Sequence, residues 1–295
     1  MRKGFLYTLF LIFACMGLWA QTRMGIAGNI EWDTQRINAH VSLDLASAGL
    51  RLPAGRTQGE AILRENYLNL IRPAILSIQV DSSSTVGSLL ESGELTLPQI
   101  DSFALGAVSV APALSPDMRR MSTSHTIPFA QISSSLIRHS RPSPVIRTLN
   151  PVSSARYTGI IIIASESLPV HGMRSTALAE PCLFPKIWDS EMNLIYDRSM
   201  LEIRVTEAVK YSVSRNIFYN HPSGLSPEIR EAIGDRPLRI FASGVFGIKP
   251  TDLIIDRSDA MQIISSEENR RLLSQGRIVI ILDESVLSYG FSFEQ

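Results

Sequence analysis

The side chains able to carry chemistry are five histidines (His40, His125, His139, His171 and His221), the cysteines Cys15 and Cys182, and a few short acidic groups. The histidines show neither His-Glu-x-x-His spacing nor a Cys-x-x-Cys partner, and the chain has no Gly-x-Ser-x-Gly elbow, Gly-x-Gly-x-x-Gly turn or phosphate-binding Gly-x4-Gly-Lys loop. Asp81-Ser82-Ser83-Ser84-Thr85 follows alternating apolar residues and could start a divalent-ion site of the von Willebrand type. Such a site needs several convergent oxygens. With no well-placed later Thr and Asp, the run reads as a turn or helix cap. Asp252, Asp256 and Asp259 could pair carboxylates, yet Leu253–Ile255 reads as strand and Asp259 as a first-turn residue complementing a helix dipole. Cys182, between Pro181 and Leu183, reads as a small apolar core residue. His171 and His221, with nearby acids, are what remains for a dispersed hydrolytic or ligand site. No catalytic, cofactor or metal residue is assigned.

Charge narrows the partners. Twenty-eight basic and 28 acidic residues give zero net charge, which argues against nucleic acid or another polyanion as the general partner. One local imbalance stands out: no acid lies between Asp117 and Glu166, whereas Arg119, Arg120, Arg138, Arg141, Arg147 and Arg156 do. These six could contact an anionic glycan, lipid or protein, or they could pair in the fold with the acids of the last 45 residues.

The N-terminus has the layout of an export signal, with Arg2-Lys3, an apolar run from Gly4 to Trp19 and a small residue at Ala20. That run falls short of the roughly 20 apolar residues of a comfortable span. Ile12-Phe-Ala-Cys15 loosely resembles a lipidation box, but Met16–Trp19 continues the apolar core, so a cleaved signal over 1–20 is favoured over lipidation at Cys15. An exported protein is expected, periplasmic or peripheral to an outer membrane, with no membrane span after signal removal. Only Cys182 would then remain, leaving no internal disulfide.

The elements that must position these residues follow from periodicity. Ile37, Ala39, Val41, Leu43 and Leu45 alternate with polar neighbours and predict a half-buried strand. Thr57-Gln-Gly-Glu60 reads as a capping box, Ile62 to Ile71 as a helix that Pro73 ends or kinks, and Leu76, Ile78 and Val80 as a strand. Pro112 to Pro151 is rich in Ser, Pro and Arg and reads as a connection with at best a helix over 129–137. Beyond it, Ile160–Ile163 is a strand buried on both faces. Short strands are expected over 183–196, 201–205 and 209–213, and another begins at Leu238, Ile240 and Ala242. A helix over 258–275, split by a capping box at Ser265–Glu268 and stopped by Gly276, precedes a strand over 277–283. Strands outnumber helices without regular alternation, which predicts an α+β fold: a strand-helix-strand module over 21–111, a connection over 112–150 and a larger mixed-sheet module over 151–295.

Ala155-Arg-Tyr-Thr-Gly-Ile-Ile-Ile-Ile-Ala164, Leu183-Phe-Pro-Lys-Ile-Trp-Asp189 and Met192-Asn-Leu-Ile-Tyr196 carry a resemblance. With Pro237–Ala242, Asp252–Asp256 and Arg277–Asp283 following in order, the chain resembles exported bacterial envelope proteins related to flagellar assembly protein T and similar small outer-membrane lipoproteins. The likeness is clearest over 150–285. Where relatives continue the Thr-Gly strand with Asp-Ala-Arg, this chain has Ile163-Ala164-Ser165. The resemblance implies a non-enzymatic structural or assembly role through envelope, flagellar or outer-membrane proteins; it leaves the oligomeric state open.

Overall fold

A computed structural model describes residues 24–294, so the expected signal and Cys15 lie outside the described residues. The first module is an antiparallel sheet under helices. Its strands are β1 (Met24–Glu31), β2 (Arg36–Asp44), β3 (Val108–Ser109), β4 (Ala113–Leu114) and β5 (Arg120–Pro128). Its helices are α1 (Arg56–Leu76), α2 (Val86–Glu91), α3 (Leu97–Leu105) and α4 (Phe129–Leu136). The alternation in β2 buries Ile37, Ala39, Val41 and Leu43, and Leu63, Tyr67, Leu70 and Ile71 of α1 join them in one core.

The second module is built on a seven-stranded mixed sheet. In chain order come β6 (Ile160–Ala164), the hairpin β7 (Leu168–Pro169) and β8 (Thr176–Ala177), β9 (Ile187–Asp189), β10 (Leu194–Tyr196), β11 (Lys210–Ser212), α5 (Pro227–Ile233), β12 (Leu238–Phe246), β13 (Asp252–Ile255), α6 (Arg257–Ile264), α7 (Glu267–Ser274) and β14 (Ile278–Leu282). The sheet order is β10-β9-β13-β12-β6-β14-β11. At its centre, β6 pairs in parallel with both β12 and β14. Ile160 and Ile162 enter the main core, while Ile161 faces a smaller cluster with Ile229 and Ile233 of α5. A strand walled on both sides needs apolar side chains at every position, which accounts for the four isoleucines.

Two segments depart from the expected boundaries. Residues 120–128, expected in the connection, form β5, which pairs with β2 over nine residues from Arg36↔Pro128 to Asp44↔Arg120. The Ser/Thr/His-rich composition hid the strand because its inward face carries the polar Thr123 and His125 between Met121 and Ile127, with the His125 ring stacked on Tyr67 at 3.8 Å. The last strand, β15 (Ser288–Glu294), leaves the second module and adds to the first module's sheet beside β1. That sheet therefore has six strands. Smaller differences have local causes. Helix α1 begins at Arg56, ahead of the expected Thr57 cap, because Gly59 N–H already reaches the Gly55 carbonyl. It runs through Pro73 for one last turn, losing only the bond that the missing N–H would make. Residues 97–105, weakly patterned, are helical under a Thr96/Gln99 capping box. Residues 201–205 are turn, held by Glu202 N–H to the Ser274 carbonyl.

Residues 137–157 have no helix or strand and lie as a strap that meets Ser199 and Leu201 first and then α6 and α7. Asn269, 1% exposed, holds it: the side-chain amide donates to Ser154 Oγ and the Ala155 carbonyl, and Oδ1 accepts from Tyr157 N–H.

The modules share one hydrophobic core. Trp32 joins them, its ring edge-on to Phe129 at 4.8 Å and to Tyr211 at 6.0 Å. Replacing Trp32 with alanine is expected to cost about 3–5 kcal/mol. Urea unfolding followed by circular dichroism measures it, and a loss below about 1 kcal/mol would contradict this packing account. Asn269→Ala is expected to cost about 1–3 kcal/mol through unpaired buried groups and to speed amide exchange at Tyr157 relative to β6.

Candidate functional site

The sequence candidates scatter when placed in the fold. Asp81 Oδ1 accepts from Ser83 N–H, Ser84 N–H and Ser83 Oγ, and the Thr85 hydroxyl caps α2 by accepting from Ser88 N–H. The hydroxyl run is spent on a turn and a cap. Asp259 lies in the first turn of α6, where burial first and neighbouring Asp256 second push its carboxyl up. His171 and His221 attach near opposite ends of β12: His171 N–H donates to the Val245 carbonyl, and Arg239 holds the Ser223 carbonyl beside His221. The six residue steps from Arg239 to Val245 span roughly 20 Å of strand. The two histidines are not brought together. His221 Nδ1 bonds the Ser223 hydroxyl and its Nε2 meets Arg230, while the His171 ring packs edge-on to Phe246.

The six arginines likewise occupy separate places. Arg119 and Arg120 stand at the β4–β5 turn, with Arg120 across from Asp44. Arg138 closes α4, donating to the Ser135 and Glu94 carbonyls. Arg141 is exposed between two strap contacts, His139 Nε2 on the Leu201 carbonyl and Ser143 N–H on the Ser199 carbonyl. Arg147 and Arg156 reach Glu267 and Glu268 of α7 at 3.8 and 3.1 Å. These two pairs are mostly exposed and worth little individually. They do use acids from the last part of the chain.

Two constellations emerge that residue spacing did not point to. The first is interior. Asp252, 1% exposed, accepts at Oδ1 from Lys186 N–H (3.2 Å) and at Oδ2 from Ser82 Oγ and Trp188 Nε1 (both 3.4 Å). Ser82 belongs to the first module and the others to the second, so this carboxylate sits at their seam. Burial outweighs the donors and holds its pKa above the ordinary carboxylate value. Nearby Cys182 is fully buried, and burial pushes its thiol up, the reverse of an activated nucleophile. The Tyr211 hydroxyl bonds both the amide and the carbonyl of Cys182. This seam is built to hold.

The second constellation is open. Across the sheet, Ile281, Ile163 and Phe241 stand side by side in register on β14, β6 and β12. Helix α5 covers this face over β14 and β6 but not over β12, so exposure rises from 0% at Ile281 to 71% at Phe241. Phe218, 76% exposed, stands across from it after β11. Between them lies a groove of about 380 Å³, lined also by Ala164, Ser165, Glu166 and Ile217. It opens beside the carboxyl end of β6, where parallel strands leave room for ligands. One sequence signal existed: Phe241 falls on the strand face opposite Leu238, Ile240 and Ala242, a large apolar residue where a polar one belongs.

Fold and site together define a two-module α+β protein with a sealed acidic seam and an exposed aromatic groove. Residues 23–135 match the family described as Treponema pallidum Tp0624, N-terminal domain, and residues 159–284 match the one described as Treponema pallidum Tp0624, second domain. The first match ends at the close of α4, and the second starts one residue before β6. Comparison with curated proteins gives no match. Among the described residues no helix is long and apolar enough to cross a membrane.

Because Asp252 binds its proton more tightly folded than unfolded, its stabilising contribution is complete at acidic pH and is lost as pH rises through the raised pKa. The stability of Asp252→Asn relative to the unsubstituted protein should therefore increase from acidic to neutral pH. Paired urea titrations read this directly, and a difference that stays constant or falls would contradict the assignment.

Proposed function

We propose that this protein is a non-enzymatic, exported component of a cell envelope that works by binding other envelope proteins. The groove between Phe218 and Phe241 carries the reading, because two phenylalanines left this exposed beside a preformed concavity resemble the anchors of a protein contact more than a solvated surface. Its lining offers a single carboxylate, Glu166, and no second acid-base partner among the described residues. The export layout of residues 1–20 supports the compartment, and the resemblance over 150–285 favours flagellar or outer-membrane components as partners.

Chemical crosslinking in native envelopes, followed by gentle fractionation, tests it. The unsubstituted chain should run in a large assembly. Phe218→Ser combined with Phe241→Ser should release it, with a loss of affinity of roughly thirtyfold or more if each phenylalanine is an anchor worth at least about 1 kcal/mol, while the melting temperature changes little. Recovery of the unsubstituted chain as a free small species, or an assembly indifferent to both substitutions, would contradict the reading.

A further inference from the structure

The two edges of the first module's sheet are built differently. One edge is β3 and β4, two-residue strands separated by residues 110–112 with Pro112 among them, the usual means of blunting an edge. The other is β15, seven residues long, in unbroken register with β1 from Gly25↔Glu294 to Glu31↔Ser288. It contains no proline, no lysine or arginine and no bulge. Among the described residues nothing pairs with its outer side. Its outward N–H and C=O groups form a ready template for another strand.

The side chains of β15 say which strand fits. Tyr289, Phe291 and Phe293 are paired with Ile30, Gly28 and Ile26, so all three lie on the core face of the sheet. Phe291 rests over Gly28, where an added Cβ would meet its ring at 2.8 Å, and it stacks on Phe293 at 5.8 Å. Because β15 is the last strand, this aromatic row is only half covered, with Tyr289 41% and Phe293 37% exposed. The row is symmetric about Phe291. An antiparallel copy centred there would set Phe291 against its counterpart, Tyr289 against Phe293, Gly290 against Ser292 and Ser288 against Glu294. Every aromatic would then meet an aromatic, and the one charged residue would meet a serine. Directly opposed aromatic pairs stabilise such a ladder, and no like charges oppose it.

We propose that the occupant is a second copy of this chain, joined β15 to β15 about a two-fold axis into one continuous antiparallel sheet. The contact lies on the first module and is separate from the Phe218–Phe241 groove, so its success or failure leaves the partner-binding reading untouched.

Sedimentation of the purified chain over a dilution series should show a monomer–dimer equilibrium. Tyr289→Lys with Phe293→Lys places lysine opposite lysine twice and should weaken the dimer roughly tenfold or more. Tyr289→Lys with Phe293→Glu removes the same two rings but opposes unlike charges, so it should restore much of that loss. Amide exchange of the unsubstituted protein gives a readout independent of variant folding: the outward amides of β15 should lose protection on dilution while those of β2 keep it. A monomer at all concentrations, a dimer equally insensitive to both double substitutions, or β15 amides whose protection does not change with dilution would overturn the proposal.

Discussion

The seam between the modules depends on backbone groups that have no partner within their own module. Ile78 and Val80 are fully buried, and the carbonyls of Gln79, Val80 and Ser82 receive the N–H groups of Leu183, Phe184 and Lys249. Buried main-chain acceptors must be satisfied, and leaving even one unpaired costs on the order of 1–3 kcal/mol. The segment after α1 can be dry only if the second module is docked on it. Trp32 against Tyr211, the Gln35 side chain on the Val209 carbonyl and the return of β15 to β1 tie the same joint at other points. A close approach adds to the constraint, since a Cβ at Gly247 would run into Ser82. The fold is two modules by topology and one body by packing.

That joint explains the position of the ionisable groups. A carboxylate taken out of water is tolerated when donors surround it, and Asp252 has them from both sides of the seam. Asp189, 2% exposed, is managed in the same way by Glu191 and Asn193 amides and by Arg257 at 3.0 Å. Cys182, Tyr196 and Tyr211, whose groups burial pushes up strongly, are part of the same packed scaffold. Perturbed titration marks functional sites only as a tendency, because structural networks shift pKa values through the same forces. Among the exposed large apolar residues, Phe218 and Phe241 line the groove beside β12, and Tyr289 and Phe293 lie along β15.

Both exposed features arise where a sheet outruns its cover. Helix α5 is two turns long and reaches β14 and β6, so the next strand, β12, keeps Phe241 in the open. The helices over the first sheet likewise reach β15 weakly, and its aromatic row stays half wet. Neither feature is a failure of burial in the core, which is otherwise closed around Ile30, Ile37, Ile75, Ile162 and Ile255.

Much of the fold was legible in the residues because it is governed by short-range periodicity. The alternation of Ile37–Leu43, the four isoleucines of β6, the break between α6 and α7, expected from a cap at Ser265 and made one residue later by Ser266, and the stop at Gly276, with φ of 64°, are each local. The α+β class and the capping role of Asp81–Thr85 followed from the same kind of reading. The rest depended on neighbours far away in the chain. β5 resembled a linker because six of its nine residues are hydroxylated or basic, and only its pairing with β2 makes that pattern a sheet. The alternation at Leu76–Val80 marks burial at a seam, although it looked like a strand. The partners of Asp252, the split of the arginines between turn, cap and strap, and the uncovered Phe241 all depend on which surface packs against which. Sequence determined where apolar residues recur and which ends can be capped; tertiary structure alone decided which faces were closed, because coverage is a property of two surfaces and periodicity describes only one.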